Sequence, residues 1–270
     1  MATCGVVSEA SASLVTPPDQ DVGVPHSNRA QDRGDMRIGR TIRLCLFGAL
    51  RLSRGGHEVF IPSSAQRLIA LVALRTAARR VEAAGILWPD SPDARANARL
   101  RTTLWRLRRS GLDVLSAANG QLFVYDDVEV DYRDWLALAL QIINRPEYVM
   151  KVDLGSLWPR GELLPGWYED WILLERERVR QLQLHVLEAA SDQLLQAGRH
   201  AVALEFALSA LQMEEARESA HRLVIRVHLA EGNTGEAWRQ FERCERVLDK
   251  ELGVRPSSQL RALMTSEAHH

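Results

Sequence analysis

Cysteine is scarce in this chain of 270 residues, which contains only Cys4, Cys45 and Cys244. An odd number at wide spacing, with no CxxC pair, argues against a disulfide framework and against a thiolate metal site. A reducing cytosol is the natural compartment for such a chain. No apolar run approaches the roughly 18 residues of a membrane span, and the first residues lack the basic and apolar regions of a secretory signal. We therefore expect a cytoplasmic protein that contacts no membrane.

Signatures of common enzyme classes are also absent from the sequence. There is no GxxxxGK[ST] phosphate loop, no GxSxG nucleophile elbow and no HExxH zinc motif. His221 and His228 share one helix face, but two histidines do not make a site, and ordinary packing is the simpler interpretation. Glu175 and Glu177 belong to an ERER run, which is typical of a solvated helix face. We expect no enzyme, no metal and no cofactor.

Lysine is nearly missing, since only Lys151 and Lys250 occur among 34 basic residues. Arginine suits bidentate recognition of phosphate and guanine, although GC-rich coding sequence produces the same bias. The total charge of −1 hides an uneven distribution: residues 1–35 carry −3, residues 36–135 carry +6 and residues 136–270 carry −4. A basic segment between acidic flanks indicates nucleic-acid contact there and protein contact elsewhere.

The chain divides into three regions by composition and periodicity. Residues 1–35 are rich in Ser, Ala, Pro, Asp and Gly without periodicity, which predicts a disordered leader. Residues 36–132 show strands, three helices and a hairpin in that order. Residues 133–265 are almost entirely helical in pattern. We expect an α+β domain followed by an all-α domain.

The α+β region begins with strand patterns. Apolar residues alternate over 42–52 apart from Gly48, which predicts a strand there. Gly55 and Gly56 form a turn, and a second strand returns over 57–62.

Three helices and a hairpin follow. Ser63 and Ser64 are predicted to cap the first helix, and a short second helix covers 81–88. The third covers 92–110, with Pro92 at its first helical position. Asn119-Gly120 is the strongest short hairpin signal, and VEVD at 128–131 predicts one more strand.

The helix at 92–110 carries the functional signal. At 100° per residue Ala96, Leu100, Leu104 and Leu107 form one buried face. The other positions expose polar side chains, among them the six arginines Arg95, Arg99, Arg101, Arg106, Arg108 and Arg109. Such a helix repels itself unless an anion screens it. A DNA major groove admits one helix whose arginines contact base edges and phosphates.

A solvated charged face is the plainer alternative for this helix. The hairpin that follows at once, with Asn119 and Gln121 at its tip, favours DNA, because a helix with an adjacent wing spans a groove and the neighbouring backbone in winged helix-turn-helix domains. Trp105 on the polar face fits either of two roles: packing on sugar-phosphate, or covering the wing.

The helical region contains an internal repeat. Gly198 and Gly232 lie 34 residues apart, and Leu195/Leu229 and Ala203/Ala237 keep the same offset. Thirty-four residues is the tetratricopeptide period; the alternative is a plain helical bundle with a chance glycine spacing.

Several motifs together resemble one family. They are LWP at 87–89, LRRSG at 107–111, LPGWYEDW at 164–171, ESAH-L-I at 218–225 and ELGV-PS at 251–257. The chain from about 40 to 264 resembles the Streptomyces antibiotic regulatory protein (SARP) family of actinobacteria. The resemblance implies a winged helix-turn-helix domain at 36–132 and a tetratricopeptide-like bacterial transcriptional activator domain at 133–265. It also implies a DNA-binding activator that binds direct repeats at promoters and recruits RNA polymerase.

The resemblance also implies roles for individual residues. Arg99, Thr102 and Arg106 occupy groove-facing positions, and Arg108 corresponds to a phosphate contact. The candidate DNA-binding residues are thus Arg95, Arg99, Arg101, Thr102, Trp105, Arg106, Arg108, Arg109, Asn119 and Gln121. The loop at 88–94 is similar to a polymerase-contacting loop of response regulators, and its candidates are Trp88, Asp90 and Asp93. Trp88 has a simpler alternative role as a core plug.

Assembly follows from the size of one recognition helix. A single helix reads too few base pairs to select a promoter among about 10⁶ genomic sites, so we expect a homodimer on adjacent DNA repeats. The segment 167–197 offers apolar side chains for pairing, although most are expected in the domain's own core; they are Trp167, Trp171, Leu174, Leu182 and Val186. A helical scaffold whose winged domain binds protein or RNA is the competing interpretation.

Overall fold

The computed structural model describes residues 41–267, so the predicted leader at 1–35 lies outside the described residues. The strands are β1 (Ile42–Cys45), β2 (Arg51–Arg54), β3 (His57–Val59), β4 (Ala78–Arg79), β5 (Leu115–Ala118), β6 (Gln121–Val124) and β7 (Val128–Val130). The helices are α1 (Ser63–Leu74), α2 (Arg80–Leu87), α3 (Asp93–Arg109), α4 (Asp131–Asn144), α5 (Asp170–Gln196), α6 (His200–Met213), α7 (Glu218–Ala230), α8 (Thr234–Leu252) and α9 (Ser258–Glu267). Two 3₁₀ helices, Pro146–Lys151 and Leu154–Leu157, join α4 to α5. This order confirms the predicted winged-helix domain followed by an all-α domain.

Two small sheets flank the first three helices. One has the strand order β3-β2-β1-β7, in which β1 is antiparallel to β2 and parallel to β7. The other has the order β4-β6-β5 and forms the wing. Every residue of α1 from Leu68 to Leu74 is buried. A helix that is apolar on all sides belongs inside a domain, and α1 is the central helix of this one.

The single strand predicted over 42–52 is wrong. Gly48, with φ of +77°, lies in a reversal that separates β1 from β2. The two strands then pair as a hairpin in which Leu44 faces Leu52. Both halves keep the same alternation because both bury one face on the same core, so the pattern did not reveal the turn.

The predicted helix starts also need correction. Pro62 and Pro92 occupy the N-cap positions of α1 and α3, and neither helix has a side-chain cap. Ser63 is therefore the first helical residue rather than a cap. Each proline fits the cap position because its extended backbone directs its carbonyl to the first turn: Pro92 O accepts the N–H groups of Arg95 and Ala96 at 2.9 and 3.0 Å.

The wing hairpin forms as predicted. Asn119 and Gly120 have φ of 51° and 74°, the pair of positive values that a type I′ turn requires. Ala118 pairs with Gln121 across the turn. The short strand β4, which the sequence did not predict, pairs Arg79 with Gln121 and makes the wing three-stranded.

The winged and helical regions share one continuous core. Asp131, at the start of α4, accepts hydrogen bonds from the backbone N–H groups of Leu46, Phe47 and Tyr132. Burial raises the pKa of this carboxyl, although the three N–H groups oppose the shift. Leu163 pairs with Phe47 in an isolated bridge just beyond the end of β1. Residues that follow the wing therefore pack against the chain where it leaves the first sheet.

Two arginines fasten this junction. Arg133 on α4 donates to the carbonyl groups of Val72, Ala73 and Arg75 at the end of α1, at 3.1, 2.8 and 2.7 Å. Arg176 on α5 donates to the carbonyl of Leu163 at 2.7 Å and also to that of Leu164. Arg133 satisfies carbonyl groups at the end of a helix, and Arg176 adds to the Trp167 N–H that Leu164 O already accepts at 3.2 Å.

The 34-residue offset is visible in the helix turns. Gly198 N–H donates to Leu195 O, and Gly232 N–H donates to Leu229 O, both at 3.0 Å. Both glycines are left-handed, with φ of 71° and 75°. Ala203 and Ala237, the second pair with this offset, are both fully buried where consecutive helices pack. The tetratricopeptide-like interpretation of this region is confirmed.

Candidate nucleic-acid interface

Helix α3 separates its apolar and basic side chains as the periodicity predicts. Ala96, Leu100, Leu104 and Leu107 are buried, together with Thr103. The six arginines are all exposed; they are Arg95, Arg99, Arg101, Arg106, Arg108 and Arg109. Burial of about five side chains fixes the helix against the domain and leaves one whole face basic.

These arginines have no acidic partner among residues 41–267. None of the six forms an ion pair with a described carboxylate, whereas arginines elsewhere in the chain commonly do, such as Arg43 with Glu129 and Arg217 with Glu188. Unpaired guanidinium groups close together raise the local positive potential and attract an anion. The positive charge of this face is therefore not balanced by any described carboxylate.

Local contacts orient some of these side chains. Arg99 donates to the hydroxyl of Ser91 in the preceding loop at 3.0 Å. Thr102 donates to Ala98 O at 3.1 Å. Arg109 lies over the ring of Trp105 at 4.7 Å from its centroid, and Trp105 remains 56% exposed. Trp105 therefore makes a cation–π contact with Arg109. This contact is compatible with both roles considered for Trp105, packing on sugar-phosphate and covering the wing.

The wing follows α3 in the chain, because β5 begins at Leu115 and α3 ends at Arg109. Asn119 is exposed at the turn and Gln121 is half-buried. Arg79 of β4 is exposed directly opposite Gln121, and Arg80 N–H donates to Gly120 O at 2.9 Å. Sequence reasoning missed these two arginines, and the Arg79-Arg80 pair before the second helix was the signal available.

The acidic loop precedes α3. Trp88 ends α2, donates its N–H to Ala84 O, and packs half-buried against the core. Asp90 is exposed in the loop, and Asp93 is exposed as the first residue of α3. Trp88 lines a small cavity of about 170 Å³ together with Ser63, Ser64 and Arg67. Trp88 therefore has the core contact considered for it, while the two carboxylates face outward.

Two of the family-like motifs meet in the helical region. Glu218 of ESAH accepts the N–H of Ser257 of ELGVRPS at 2.8 Å, and also its hydroxyl. His221 is fully buried, and its Nε2 and Nδ1 lie 2.9 and 2.6 Å from Glu215 O and Gln240 Nε2. Burial lowers the pKa of His221. These polar groups hold the repeats together, so His221 has the packing role expected for it.

The apolar segment considered for pairing is only partly available. Val186 is fully buried, so it is not available for pairing. Leu174 is 74% exposed, while Trp167, Trp171 and Leu182 are half-buried against the core.

The described residues show neither a metal-ligand cluster nor a membrane-spanning helix. Among the described residues, no three histidine, cysteine or acidic side chains group as metal ligands would. No helix in the described part of the chain is both long and apolar enough to cross a bilayer.

The helical region matches a known protein family. Residues 155–266 match the family model of the bacterial transcriptional activator domain. Regulatory protein AfsR of Streptomyces coelicolor is 26% identical over 257 residues, which cover 89% of this chain but 25% of AfsR. Regulatory protein DnrI of Streptomyces peucetius is 30% identical over 205 residues, which cover 66% of this chain and 72% of DnrI. The chain thus spans about a quarter of the length of the two AfsR relatives.

A solved structure supports the whole architecture. EmbR of Mycobacterium tuberculosis, determined in complex with a low-affinity phosphopeptide, superposes with a TM-score of 0.72 over 85% of this chain and 65% of EmbR. At 16% identity this similarity concerns the fold alone. The fold, the activator domain and the extent of the match to DnrI agree with the resemblance drawn from the motifs. This chain belongs to the SARP family of transcriptional regulators.

Proposed function

We propose that this chain is a sequence-specific activator that binds double-stranded promoter DNA through α3 and the wing. The observation that carries the proposal is the exposed arginine face of α3, which has no carboxylate partner among residues 41–267. A major groove accepts one such helix, and the three-stranded wing with Asn119, Gln121 and Arg79 is suited to the adjacent backbone. A nucleoid-associated location in the cytoplasm follows from this role.

The side chains divide into two groups by their expected contacts. Arg99, Thr102 and Arg106 face the groove in this proposal, and Arg108 contacts phosphate. Of the remaining candidates on α3, Arg95, Trp105 and Arg109 share this exposed side of the helix by their spacing, and Arg101 lies at its edge. Phosphate contacts position the protein and base contacts give specificity, so the two groups are expected to respond differently to substitution.

The first experiment measures duplex binding against salt. A genome-wide footprint supplies the operator, and anisotropy then gives the affinity of the purified chain. We expect log K to fall with log salt at a slope of about −0.9 per phosphate contact. A flat salt response excludes DNA as the ligand. Preference for single-stranded RNA of the same sequence would favour the competing interpretation, a helical scaffold whose winged domain binds RNA.

Substitutions on α3 then locate the contact. Arg106→Ala should weaken operator binding by about 1–3 kcal/mol and relax specificity at one base pair. Arg108→Ala should weaken binding to all duplexes alike and reduce the salt slope by about 1. Arg255→Ala, which removes an exposed arginine of the helical region, is the charge-matched control. If Arg106→Ala and the control changed operator affinity equally, Arg106 would not contact the operator and the assignment of α3 to the interface would be wrong.

The acidic loop is proposed to contact RNA polymerase. Asp90 and Asp93 are exposed beside the arginine face, where they would repel phosphate and are free to meet a basic protein surface. Asp90→Asn with Asp93→Asn should leave operator affinity unchanged and reduce transcription in a reconstituted assay. Glu58→Gln with Glu147→Gln, two exposed acidic residues elsewhere, is the control. Undiminished transcription by the loop variant would exclude this contact, and with it the role given to Trp88.

Binding as a pair on direct repeats is the last part of the proposal. Footprints on one half-site and on the full repeat, at matched protein concentrations, measure the cooperativity. We expect the full repeat to bind more tightly than two independent half-sites. Equal half-site affinities in both contexts would show that the copies bind independently.

A further inference from the structure

The arginines of α3 differ in how firmly their side chains are held. Arg99 donates from Nη1 to the hydroxyl of Ser91 at 3.0 Å, and Arg109 lies over the ring of Trp105. Within residues 41–267 the other four make no side-chain hydrogen bond or ion pair. These four are Arg95, Arg101, Arg106 and Arg108. Among the described residues, Arg99 is thus the arginine of α3 whose guanidinium is hydrogen-bonded to a neighbour.

The hydroxyl that Arg99 meets is anchored to the domain. Ser91 N–H donates to Trp88 O at 3.1 Å, and Trp88 packs on the core. Ser91 is half-buried and is followed by Pro92, whose carbonyl accepts N–H groups of the first turn of α3. Because a residue before proline is largely restricted to extended backbone, the chain is constrained on both sides of Ser91. The hydrogen bond therefore ties the Arg99 guanidinium to a fixed point.

The direction of this contact suits a side chain that reads a groove. Helical side chains lean toward the N-terminus of their helix, and Ser91 lies just before Asp93, the first residue of α3. In helix-turn-helix domains the N-terminal part of the recognition helix contacts base edges. A guanidinium has five N–H donors, and only Nη1 of Arg99 is engaged by a described residue. The remaining donors are available to a base or a phosphate.

Orientation before binding lowers the cost of binding. An arginine that becomes ordered only in the complex loses the rotamer freedom of a long side chain, and this loss weakens affinity by about two- to tenfold. A guanidinium that the free protein already holds in place avoids most of that loss. The group that holds it therefore contributes to affinity without touching DNA.

We propose that Ser91 is a positioning residue for operator recognition, whose hydroxyl holds the Arg99 guanidinium in its DNA-contacting orientation in the free protein. This inference rests on the proposed function, because it takes Arg99 to contact the operator. It also separates Ser91 from its neighbours in the acidic loop. Asp90 and Asp93 are proposed to meet polymerase, whereas Ser91 acts through the recognition helix.

NMR relaxation of the arginine Nε–H groups, measured on the full chain without DNA, tests the contact itself. We expect a higher order parameter for Arg99 than for Arg101, which makes no side-chain contact of this kind with a described residue. Ser91→Ala should lower the Arg99 value to that of Arg101, and Ser91→Thr, which keeps the hydroxyl, should preserve it. An Arg99 side chain as mobile as that of Arg101 in the parent chain would overturn the proposal.

Operator affinity tests the consequence of the contact. Ser91→Ala should weaken binding by about two- to tenfold and relax specificity at the same base pair as Arg99→Ala. Ser91→Thr should restore both, which a loss of general stability would not explain. Ser209→Ala, which removes a half-buried hydroxyl from α6, is the matched control and should leave affinity unchanged.

A double-mutant cycle separates positioning from a direct contact between the serine hydroxyl and DNA. If Ser91 acts through Arg99, Ser91→Ala should have no effect in an Arg99→Ala background. Additive losses would show that Ser91 contacts DNA itself and would overturn the positioning role. Weaker binding by Arg99→Ala with none by Ser91→Ala would refute the positioning role alone. Unchanged binding by Arg99→Ala would instead refute the groove contact proposed for Arg99, and this inference with it.

Transcription at full operator occupancy distinguishes Ser91 from the polymerase-contacting carboxylates. At protein concentrations that saturate the operator, Ser91→Ala should activate as strongly as the parent chain, whereas Asp90→Asn with Asp93→Asn should not. Reduced activation by Ser91→Ala at full occupancy, with unchanged operator affinity, would assign the serine to polymerase contact and overturn the proposal.

Discussion

Replacement of Arg133 tests whether one side chain holds the central helix to the helical region. Its half-buried guanidinium donates three hydrogen bonds to the carbonyl groups of Val72, Ala73 and Arg75 at the end of α1. Burial lowers the pKa of this guanidinium, so the group bears a desolvation cost that these bonds offset. α1 has no basic residue in its own last turn, and Arg133 supplies the positive charge there.

The expected cost follows from these contacts. Hydrogen bonds to a charged group contribute about 1.5–3 kcal/mol, and the three bonds share two nitrogens, so we count them as one strong interaction. A cation at a helix C-terminus adds about 0.3–1 kcal/mol. Arg133→Met, which keeps most of the apolar stem, should therefore reduce the unfolding free energy by about 2–4 kcal/mol. For a chain of this size the melting temperature should fall by roughly 5–15 °C.

Thermal and urea unfolding, followed by both tryptophan fluorescence and far-UV circular dichroism, measure the effect. Coincident transitions by the two probes are required before a single free energy is assigned. Arg133→Lys keeps the charge without the planar fork and should recover only part of the loss. Arg255→Met, at an exposed position, should be neutral. An Arg133→Met protein that melts within about 1 °C of the parent would refute the clamp, because even one hydrogen bond contributes more.

Two further predictions concern the helical region. Gly198→Ala and Gly232→Ala should each lower the unfolding free energy by about 1–2 kcal/mol, because both positions are left-handed. Gly235→Ala, with open space around its Cβ position and ordinary helical φ, should instead stabilise α8 by about 0.5–1 kcal/mol; destabilisation there would contradict the argument. Burial depresses the pKa of His221, so unfolding free energy should decline as pH falls below about 6.5, where only the unfolded chain binds the proton. His221→Gln should flatten that decline in urea titrations between pH 5 and 7, and His57→Gln, at an exposed position, should not.

Local sequence patterns predicted the features that depend on local geometry. The Asn119-Gly120 turn needs two positive φ angles, which this pair adopts readily, and it formed as expected. The buried face of α3 followed from helical spacing because one side of that helix meets a core. The repeat followed from Gly198 and Gly232 because both end a helix with the same left-handed turn.

Features that depend on contacts distant in sequence were not predictable in this way. A strand of two residues, such as β4, is too short to show a period, and it forms because β6 presents a free edge. The parallel pairing of β1 with β7 joins segments more than 80 residues apart. Arg133 and Arg176 lie among other polar residues of α4 and α5. Only the positions of the carbonyl groups they meet reveal their roles.

The same contacts bear on where the winged domain ends. The sequence placed its boundary at residue 132, just past β7. In the fold, three features of its core come from beyond that point: the Arg133 clamp on α1, the ring of Trp135 against Phe47, and the pairing of Leu163 with Phe47. A fragment that ends at 132 lacks all three and exposes the apolar residues they cover.

Two fragments therefore test where the winged domain ends. Fragment 36–132 ends at the boundary predicted from sequence composition, and fragment 36–169 includes the later residues that pack on the core. We expect 36–169 to unfold cooperatively on heating, because it restores α4 and the pairing of Leu163 with Phe47. We expect 36–132 to show no cooperative transition, since loss of several buried contacts costs about as much as the roughly 5–15 kcal/mol that stabilises a domain. Both fragments contain the whole arginine face, so their affinities for duplex DNA show whether that face needs a folded support. If 36–132 melts as sharply as 36–169 and at a similar temperature, the boundary at 132 is correct and the helical region is not part of the winged domain's core.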